Sequence, residues 1–423
     1  MLEFLIKGMC RDRHRSLLPL IVVVLGVFMI VTIEGIFGGI TSNMLNMTAH
    51  YQTGHLRVMT KAYSIDEAQK PNGFALLEAD ALTEDLRSAY PEVDWTSRIL
   101  FGALLDIPDD KGETRAQGPV SGQAFNLLGP GSREVERMGL AKAVYEGRLI
   151  EQPGEILVSI DFAERFGLKP GHTATLFGST MYGSLCLQNF EVVGVLRFGN
   201  SFLDKGAVIV DISDARLFLD MEDAAGEMMG FFLTKSYKED AAEAIKQDFN
   251  RRYADESDEF APIMSKLTDD VTVAETLIYM QVVSAVLTGL LMLALSIVLW
   301  NSGVLGGIRR YNEFGLRLAM GEEKSYIYKS LLVESLLIGV VGSIFGTLLG
   351  LLLASILQKY GINYGVAMKN LTVLLDPYVR SEITPKLYYI GCIPGVIATL
   401  LGTALAGRAI YKRSTANLFK EMD

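Results

Sequence analysis

The sequence contains few of the residues that build metal and disulfide sites. Its 423 residues include three cysteines, which lie far apart and form no CxxC pair, at Cys10, Cys186 and Cys392. The four histidines show no HExxH or similar spacing. The sequence therefore encodes neither a zinc ribbon nor a disulfide framework, and it offers no pattern for metal catalysis.

Basic residues are outnumbered, and two common enzyme motifs are absent. The chain has 39 lysines and arginines against 49 aspartates and glutamates, a formal net charge of −10. This excess of acid argues against a nucleic-acid partner, which would need a basic face for the phosphates. No GxSxG and no P-loop motif (GxxxxGKS or GxxxxGKT) occurs, and no other catalytic constellation stands out. We predict a chain that is not an enzyme and holds no cofactor or metal of its own.

Long apolar runs are abundant. Half of the residues (50%) are hydrophobic, and four runs are long enough to cross a bilayer, which takes about 20 apolar residues. We predict transmembrane helices at 17–40, 274–302, 328–358 and 387–411. No alanine precedes Ala49, so the first run has no A-x-A cleavage site, and we interpret it as an uncleaved anchor.

The distribution of charge predicts the topology. The amphipathic N-terminus 1–16, the loop 303–327 and the tail 412–423 are basic, which places them and both termini in the cytoplasm. The segment 41–273 and the short loop 359–386 then lie on the other side. The segment 41–273 carries 22 basic and 37 acidic residues, so the acidity of the chain resides in this extracytoplasmic domain.

Helical and strand patterns alternate along 41–273. We predict an α-helical membrane protein with four transmembrane helices plus an α+β extracytoplasmic domain, in two lobes, inserted between helices 1 and 2. Helices are predicted at Ala81–Ala89, Asp161–Phe166, from a cap at Ser213 to Leu219, and at Lys238–Tyr253. Strands are predicted at Arg98–Ile107, Glu155–Ile160, Thr173–Phe177, Phe190–Leu196, Ala207–Asp211 and Phe231–Thr234.

The loop between the second and third runs is rich in charge. Arg310–Glu313 and Glu313–Arg317 have the i,i+3 and i,i+4 spacings of helical ion pairs, and Arg309 adds to the same patch. Gly315 lies within this patch, and a helix could end and turn at Gly321. Charge alone leaves two readings open: a short helix that docks on a cytoplasmic partner, or a solvated basic loop.

The sequence of this loop resembles that of the corresponding loop in the permeases of type VII ABC transporters, the FtsX-like and macrolide-exporter-like group. Their loop reads R-x-x-E-x-G-x-x-R-A-x-G, followed by a glutamate where the next span begins. The matching positions are Arg310, Glu313, Gly315, Arg317 and Gly321, and Glu334 takes the place of the following glutamate. One departure is Leu318 before Ala319, which shifts the usual Arg-Ala step by one residue. The order of one span, a large outside domain and three spans also matches.

The resemblance implies a partner and a mechanism. In that family the loop is a coupling helix that docks on a separate cytoplasmic ATPase, which binds ATP and Mg. Two permease copies or paralogues work together in the inner (cytoplasmic) membrane, and the outside domain moves when the ATPases close (mechanotransmission). The implied coupling residues are Arg309, Arg310, Glu313, Gly315, Arg317 and Gly321.

Within the family, two segments are similar in sequence to the lipoprotein-releasing permeases, namely Thr53–Val58 and Phe198–Asp211. We therefore expect release of lipoprotein cargo from the inner membrane. Some relatives recruit a periplasmic chaperone through a long hook, but the corresponding segment Gly178–Gln188 is short here. The alternatives are tripartite export of drugs or peptides from the periplasm, and a signalling or scaffold protein that does not transport.

Small and acidic residues inside the runs are further candidates. The third run carries glycines every three or four residues, a small-xxx-small pattern for close helix packing, at Gly339, Gly342, Gly346 and Gly350. This packing could be within one chain or between two. Glu34 and Glu334 are acids near the ends of runs, where a functional role and a paired or snorkelled structural role both fit.

Overall fold

The structure, a computed structural model, describes residues 13–109, 112–198, 201–234, 237–253, 255, 257–309, 316–363 and 378–412. The chain forms two compact units. One unit holds the apolar helices and draws on three separate stretches of chain. The other holds the segment Asn43–Glu275.

The described α-helices are, in chain order, α1 (Arg13–Thr48), α2 (Lys61–Ile65), α3 (Ala79–Ala89), α4 (Glu134–Arg137), α5 (Leu140–Ala143), α6 (Ile160–Phe166), α7 (Ser201–Asp204), α8 (Ile212–Leu219), α9 (Glu239–Arg252), α10 (Val271–Arg309), α11 (Lys324–Tyr360), α12 (Pro385–Ile390) and α13 (Cys392–Lys412). The described strands are β1 (Leu56–Thr60), β2 (Leu76–Leu77), β3 (Val93–Pro108), β4 (Thr114–Phe125), β5 (Val144–Gly147), β6 (Glu155–Ser159), β7 (Thr173–Ser179), β8 (Leu185–Leu196), β9 (Ala207–Asp211), β10 (Ala224–Ala225), β11 (Glu227–Phe232), β12 (Pro262–Lys266), β13 (Ile362–Asn363) and β14 (Tyr378–Val379). A π-helical turn, Ala49–Thr53, follows α1.

Within the described ranges, four stretches of helix are long and apolar enough to cross a membrane, namely Leu17–Thr53, Val271–Leu305, Lys324–Tyr360 and Pro385–Ala406. Helix α1 contributes three buried valines at a spacing of four, Val23, Val27 and Val31, to the core of the helical unit. This spacing places the valines on one face of the helix. Ile338 of α11 and Ala398 of α13 belong to the same cluster.

Ten strands of the other unit form one mixed sheet. Its order is β12-β1-β11-β3-β4-β9-β6-β8-β5, and β7 lies off this path, paired with β3 and β8. The pairs β4–β9 and β6–β8 are parallel, and the others are antiparallel. The 16-residue strand β3 is the spine of the sheet, because its first part pairs with β11 and its remainder with β4.

Three apolar clusters share this sheet. One joins residues between 125 and 209 to Met229 and Phe231. The other two correspond to the two lobes expected from the sequence. One is built from the two ends of the domain, residues 56–95 and 225–264. The other comes from the middle, residues 99–224, with Ala75 added. Along β3 the boundary lies between Trp95 and Ile99, and on the return it lies between Ala224 and Ala225. The second lobe is therefore an insertion within the first.

The domain elements predicted from the sequence are found with shifts at their ends. Strand β8 begins at Leu185, so the loop after β7 covers only residues 180–184. The predicted cap at Ser213 is wrong: the Asp211 side chain accepts a hydrogen bond from the backbone N–H of Ser213 at 2.9 Å, because Asp211 precedes the first helical residue. The strand predicted at 231–234 begins four residues earlier, at Glu227, and ends two residues earlier, at Phe232.

Candidate functional site

The described end of the loop between α10 and α11 forms a defined turn. Residues 316–319 are helical, and the helix ends in a turn at Gly321, whose φ of +89° suits glycine. The N–H of Gly321 donates to the carbonyl of Leu318, and the N–H of Glu322 donates to that of Arg317, each at 3.1 Å. This is the helix end predicted for Gly321.

Arg317 has a described partner, Glu322, that the helical spacing did not suggest. Its Nε and Nη2 atoms donate to the carboxylate of Glu322 at 2.5 and 3.0 Å. Glu313 lies outside the described residues, as do Arg310 and Gly315, so the predicted pairs of Glu313 stay predictions. Arg309 is the last residue of α10. The ATPase-coupling assignment of this loop is a prediction that the geometry does not test.

Glu34 is the centre of a polar cluster in the helical unit. Its side chain is buried, although it lies in an apolar helix. Oε1 accepts hydrogen bonds from the hydroxyls of Ser284 at 2.8 Å and Thr288 at 3.0 Å, both in α10. Oε2 accepts one from Nζ of Lys386, at the start of α12, at 2.8 Å. One carboxylate therefore connects α1 to two other helices. This contact corresponds to the paired structural role that was one alternative for Glu34.

Lys386 and the two hydroxyl residues were not identified from the sequence. Lys386 lies 352 positions from Glu34, and no local spacing links them. The other candidate acid, Glu334, is buried within α11. Its burial inside the unit excludes the snorkelled reading in this structure.

The glycines of α11 pack against α1 of the same chain. Added Cβ atoms at Gly342, Gly346 and Gly350 would lie 2.7 Å from atoms of α1. At Gly346 the nearest atoms are the carbonyl oxygen of Val24 and the Cβ of Val27. A methyl group cannot fit at these distances, so these glycines allow the two helices to approach closely.

The fourth glycine of the pattern serves another contact. An added Cβ at Gly339 would lie 2.5 Å from Oγ1 of Thr399 in α13. The sequence pattern suggested one shared face for all four glycines. Because helical residues three apart differ in direction by about 60°, the face of α11 is divided between two neighbours.

A buried polar cluster occupies the start of the extracytoplasmic domain, where the sequence suggested no site. Arg98 of β3 is 1% exposed and forms an ion pair with Glu227 of β11 at 2.7 Å. Arg57 of β1 lies 3.4 Å from the same carboxylate and also pairs with Glu67. Burial and the neighbouring carboxylates act in opposite directions on Arg57, and the net effect raises its pKa.

His55 lies beside this cluster, between aromatic rings. Its Nδ1 accepts a hydrogen bond from the N–H of Phe232 at 3.0 Å, and ring contacts join it to Phe231 and Phe232. Burial lowers the pKa of His55 to about 4, and repulsion from His50 and Arg137 acts in the same direction. The imidazole is therefore neutral and structural at neutral pH.

The other potential metal ligands and nucleophiles of the described domain do not form a site. Among the described residues no group of three or more His, Cys, Asp or Glu could hold a metal. Cys186 is half-buried, and burial raises the pKa of its thiol. Its environment is therefore not that of an activated nucleophile.

Comparison with known proteins covers both units. The family model described as "MacB-like periplasmic core domain" matches residues 16–252, more than half of the chain, and the model described as "FtsX-like permease C-terminal" matches residues 285–415. Among solved structures, the chain is similar to the periplasmic region of MacB from Actinobacillus actinomycetemcomitans, with 11% identity and a TM-score of 0.34. That match covers 52% of this chain and 91% of the MacB chain. No curated protein sequence matches.

Proposed function

Because this chain belongs to the permeases of type VII ABC transporters, with MacB-like and FtsX-like parts, we propose that it couples ATP hydrolysis to movement of its extracytoplasmic domain. Permeases of this family are generally non-catalytic inner-membrane subunits that work with a cytoplasmic ATPase. In this proposal the loop 303–327 docks on that ATPase. Both termini lie in the cytoplasm, and residues 41–273 lie in the periplasm.

The proposed cargo is inferred from the exposed face of α10. Only 11% of its membrane window is buried, against 39% in the other three candidate spans. Most of its positions are exposed, and six of the large exposed residues recur every three or four positions and form one stripe, of Tyr279, Val282, Val286, Leu290, Leu293 and Ile297. A stripe with almost no polar atoms suits acyl chains better than polar drugs or peptides. The cargo that fits it is a lipoprotein, released from the inner membrane.

Extraction of such a cargo requires an energy source. Each CH₂ group buried in the bilayer contributes about 0.8 kcal/mol to the free energy of membrane binding. Removal of a triacyl anchor from the bilayer therefore costs on the order of 30 kcal/mol or more. Two permease copies, or this chain with a paralogue, would enclose the acyl chains between their α10 stripes. Closure of two ATPases would then expel the cargo on the periplasmic side.

The short loop between β7 and β8 does not form a long hook of the kind that captures a chaperone. The loop between β7 and β8 covers residues 180–184 and is closed by a hydrogen bond from the N–H of Thr180 to the carbonyl of Ser184 at 2.8 Å. A chaperone, if one acts, would have to receive the cargo at another surface.

The first test is purification of the tagged chain from its native membranes, with mass spectrometry of the proteins that accompany it. An ATPase together with acylated lipoproteins supports the proposal, and a second permease sequence in the sample would identify a heterodimer. An ATPase with a periplasmic adaptor or outer-membrane channel would replace lipoprotein release by tripartite export. Absence of any ATPase would favour a scaffold or signalling protein.

A site-specific test follows from the stripe. A photo-crosslinking residue at Leu290, which is 57% exposed, should capture acylated lipoproteins in native membranes. The matched control is the same residue at Leu217 of α8, which is 76% exposed but lies in the extracytoplasmic domain. Equal capture of lipoproteins at both positions would contradict the role of the stripe.

A further inference from the structure

The connection between α1 and the sheet is short. Helix α1 passes at Thr48 into the π-helical turn Ala49–Thr53, and strand β1 begins at Leu56. Gly54 lies between them with a φ of +72°. Glycine resists rotation about its backbone bonds less than any other residue. If nothing else fixed this turn, Gly54 would be a hinge.

Arg98 fixes this turn through hydrogen bonds to its backbone. The guanidinium donates from Nη1 to the carbonyl of Tyr51 at 3.2 Å and from Nη2 to the carbonyl of Gln52. These carbonyls belong to the last residues of the helical segment, where unpaired acceptors carry partial negative charge. A buried cation therefore satisfies the end of the helix.

The same guanidinium is held by the sheet. Nε and Nη2 of Arg98 donate to Oε1 of Glu227 at 3.0 and 2.7 Å, and Arg98 and Glu227 are directly opposite in the β3–β11 pair. Arg57 supports Glu227 from β1. These positions are also where the chain passes between the two lobes. One side chain thus joins the helix end to the strands that both lobes share.

Aromatic contacts surround this polar connection. His50 stacks on Phe231 with ring centroids 5.9 Å apart, and the hydroxyl of Tyr51 donates to the carbonyl of Met138 at 3.1 Å. Backbone hydrogen bonds from Gly54 to Ala49 and from His55 to Gly230 act beside them. Rotation at Gly54 would therefore disturb the Arg98 hydrogen bonds together with these contacts. π-Helical turns occur often at functional sites.

We infer that Arg98 is a positioning residue that makes the turn after α1 rigid, so that a displacement of α1 moves the sheet instead of being absorbed at Gly54. This inference rests on the proposed coupling between the ATPase and the extracytoplasmic domain. Arginine is required because a planar fork reaches two carbonyls and a carboxylate together. The ammonium of lysine is a point charge and cannot do so.

Two variants of the full chain test this role in complex with its co-purified ATPase, in lipid nanodiscs. Arg98→Lys keeps the charge beside Glu227. The double variant Arg98→Met/Glu227→Gln removes the buried pair without leaving an unpaired charge, a change that proteins often tolerate. The control is Arg148→Lys, because Arg148 makes a similar two-atom contact with Glu155 but does not contact the end of α1.

The readout separates coupling from folding. Spin labels at Ile65→Cys and Tyr360→Cys, both at exposed positions, report by pulsed electron resonance how the distance distribution changes with ATP and vanadate. The native cysteines Cys10, Cys186 and Cys392 are replaced by serine. ATP hydrolysis and thermal unfolding are measured on the same samples.

We expect the wild type and Arg148→Lys to show the same nucleotide-dependent change in distance. Both Arg98 variants should hydrolyse ATP at near wild-type rates, with a distance change reduced about fivefold or more, the lower range of allosteric coupling. A full distance change in folded Arg98 variants would overturn the inference and leave the proposed function intact. Absence of the change in the wild type would overturn both. If neither variant folds, Arg98 is structural and the inference is wrong.

Discussion

Protonation of His55 should destabilise the extracytoplasmic domain at mildly acidic pH. The pKa of His55 is lowered from 6.5 to about 4 in the folded protein, because its ring is buried beside Phe231 and Phe232. The folded state therefore favours the neutral ring. The stabilisation is fully present above about pH 6.5, decreases as the pH falls, and levels off near pH 4, where the folded protein also takes up the proton.

The magnitude follows from linkage between protonation and folding. With these two pKa values, lowering the pH from about 7.5 to about 5 removes about 2 kcal/mol of the free energy of unfolding. Other groups titrate in the same range, so the informative quantity is the difference between the wild type and His55→Asn. The asparagine carbonyl can accept the hydrogen bond from Phe232 but has no proton to gain.

The assay is denaturant unfolding of the purified full chain, followed by tryptophan fluorescence. The chain has two tryptophans, and Trp300→Phe leaves Trp95, which is buried in the domain, as the reporter. We expect the stability difference between wild type and His55→Asn to shift by about 2 kcal/mol between pH 7.5 and 5. The matched control is His172→Asn, at an exposed turn. Parallel pH curves for wild type and His55→Asn would refute the reasoning.

Three further predictions concern the helical unit and its loop. Gly346→Ala should destabilise the protein by about 1–3 kcal/mol, because the new methyl group would meet α1, whereas Gly289→Ala, with open space around its Cβ, should have little effect on thermal unfolding. Lys386→Met should lower the unfolding temperature in nanodiscs more than Glu34→Gln, because it leaves a buried carboxylate without its cation; the reverse order would contradict the assigned cluster. Glu313→Arg should abolish cargo-stimulated ATP hydrolysis without impairing membrane insertion, and normal turnover would exclude the coupling role of this loop.

The sequence predicted the features that depend on local composition. An uncharged apolar run of this length has few structures open to it other than a membrane helix. The described part of the chain contains four helices that fit such spans. The family was correctly identified from the loop spelling and the order of segments. Buried strands such as β6 and β9 were found because their apolar residues are continuous.

The features that were missed depend on distant residues. Strand β4 reads as a loop, since Gly118, Pro119 and Gly122 interrupt it, yet pairing with β3 and β9 makes it a strand. The partners of Glu34 lie at least 250 positions away. Arg98 looks like a surface residue in the sequence, and only the fold brings Glu227 and the end of α1 to it. No local pattern carries such information.

The nesting of one lobe within the other has a consequence for how such permeases can diversify. Residues 99–224 form their own apolar cluster, while the segments that continue into α1 and α10 belong to the other lobe. Substitutions or insertions on the outer surface of the nested lobe, away from the contact of Met138 with Tyr51, can occur without altering the chain at either junction with the membrane helices. The outer surface of the nested lobe and the two junctions can therefore evolve independently within one domain.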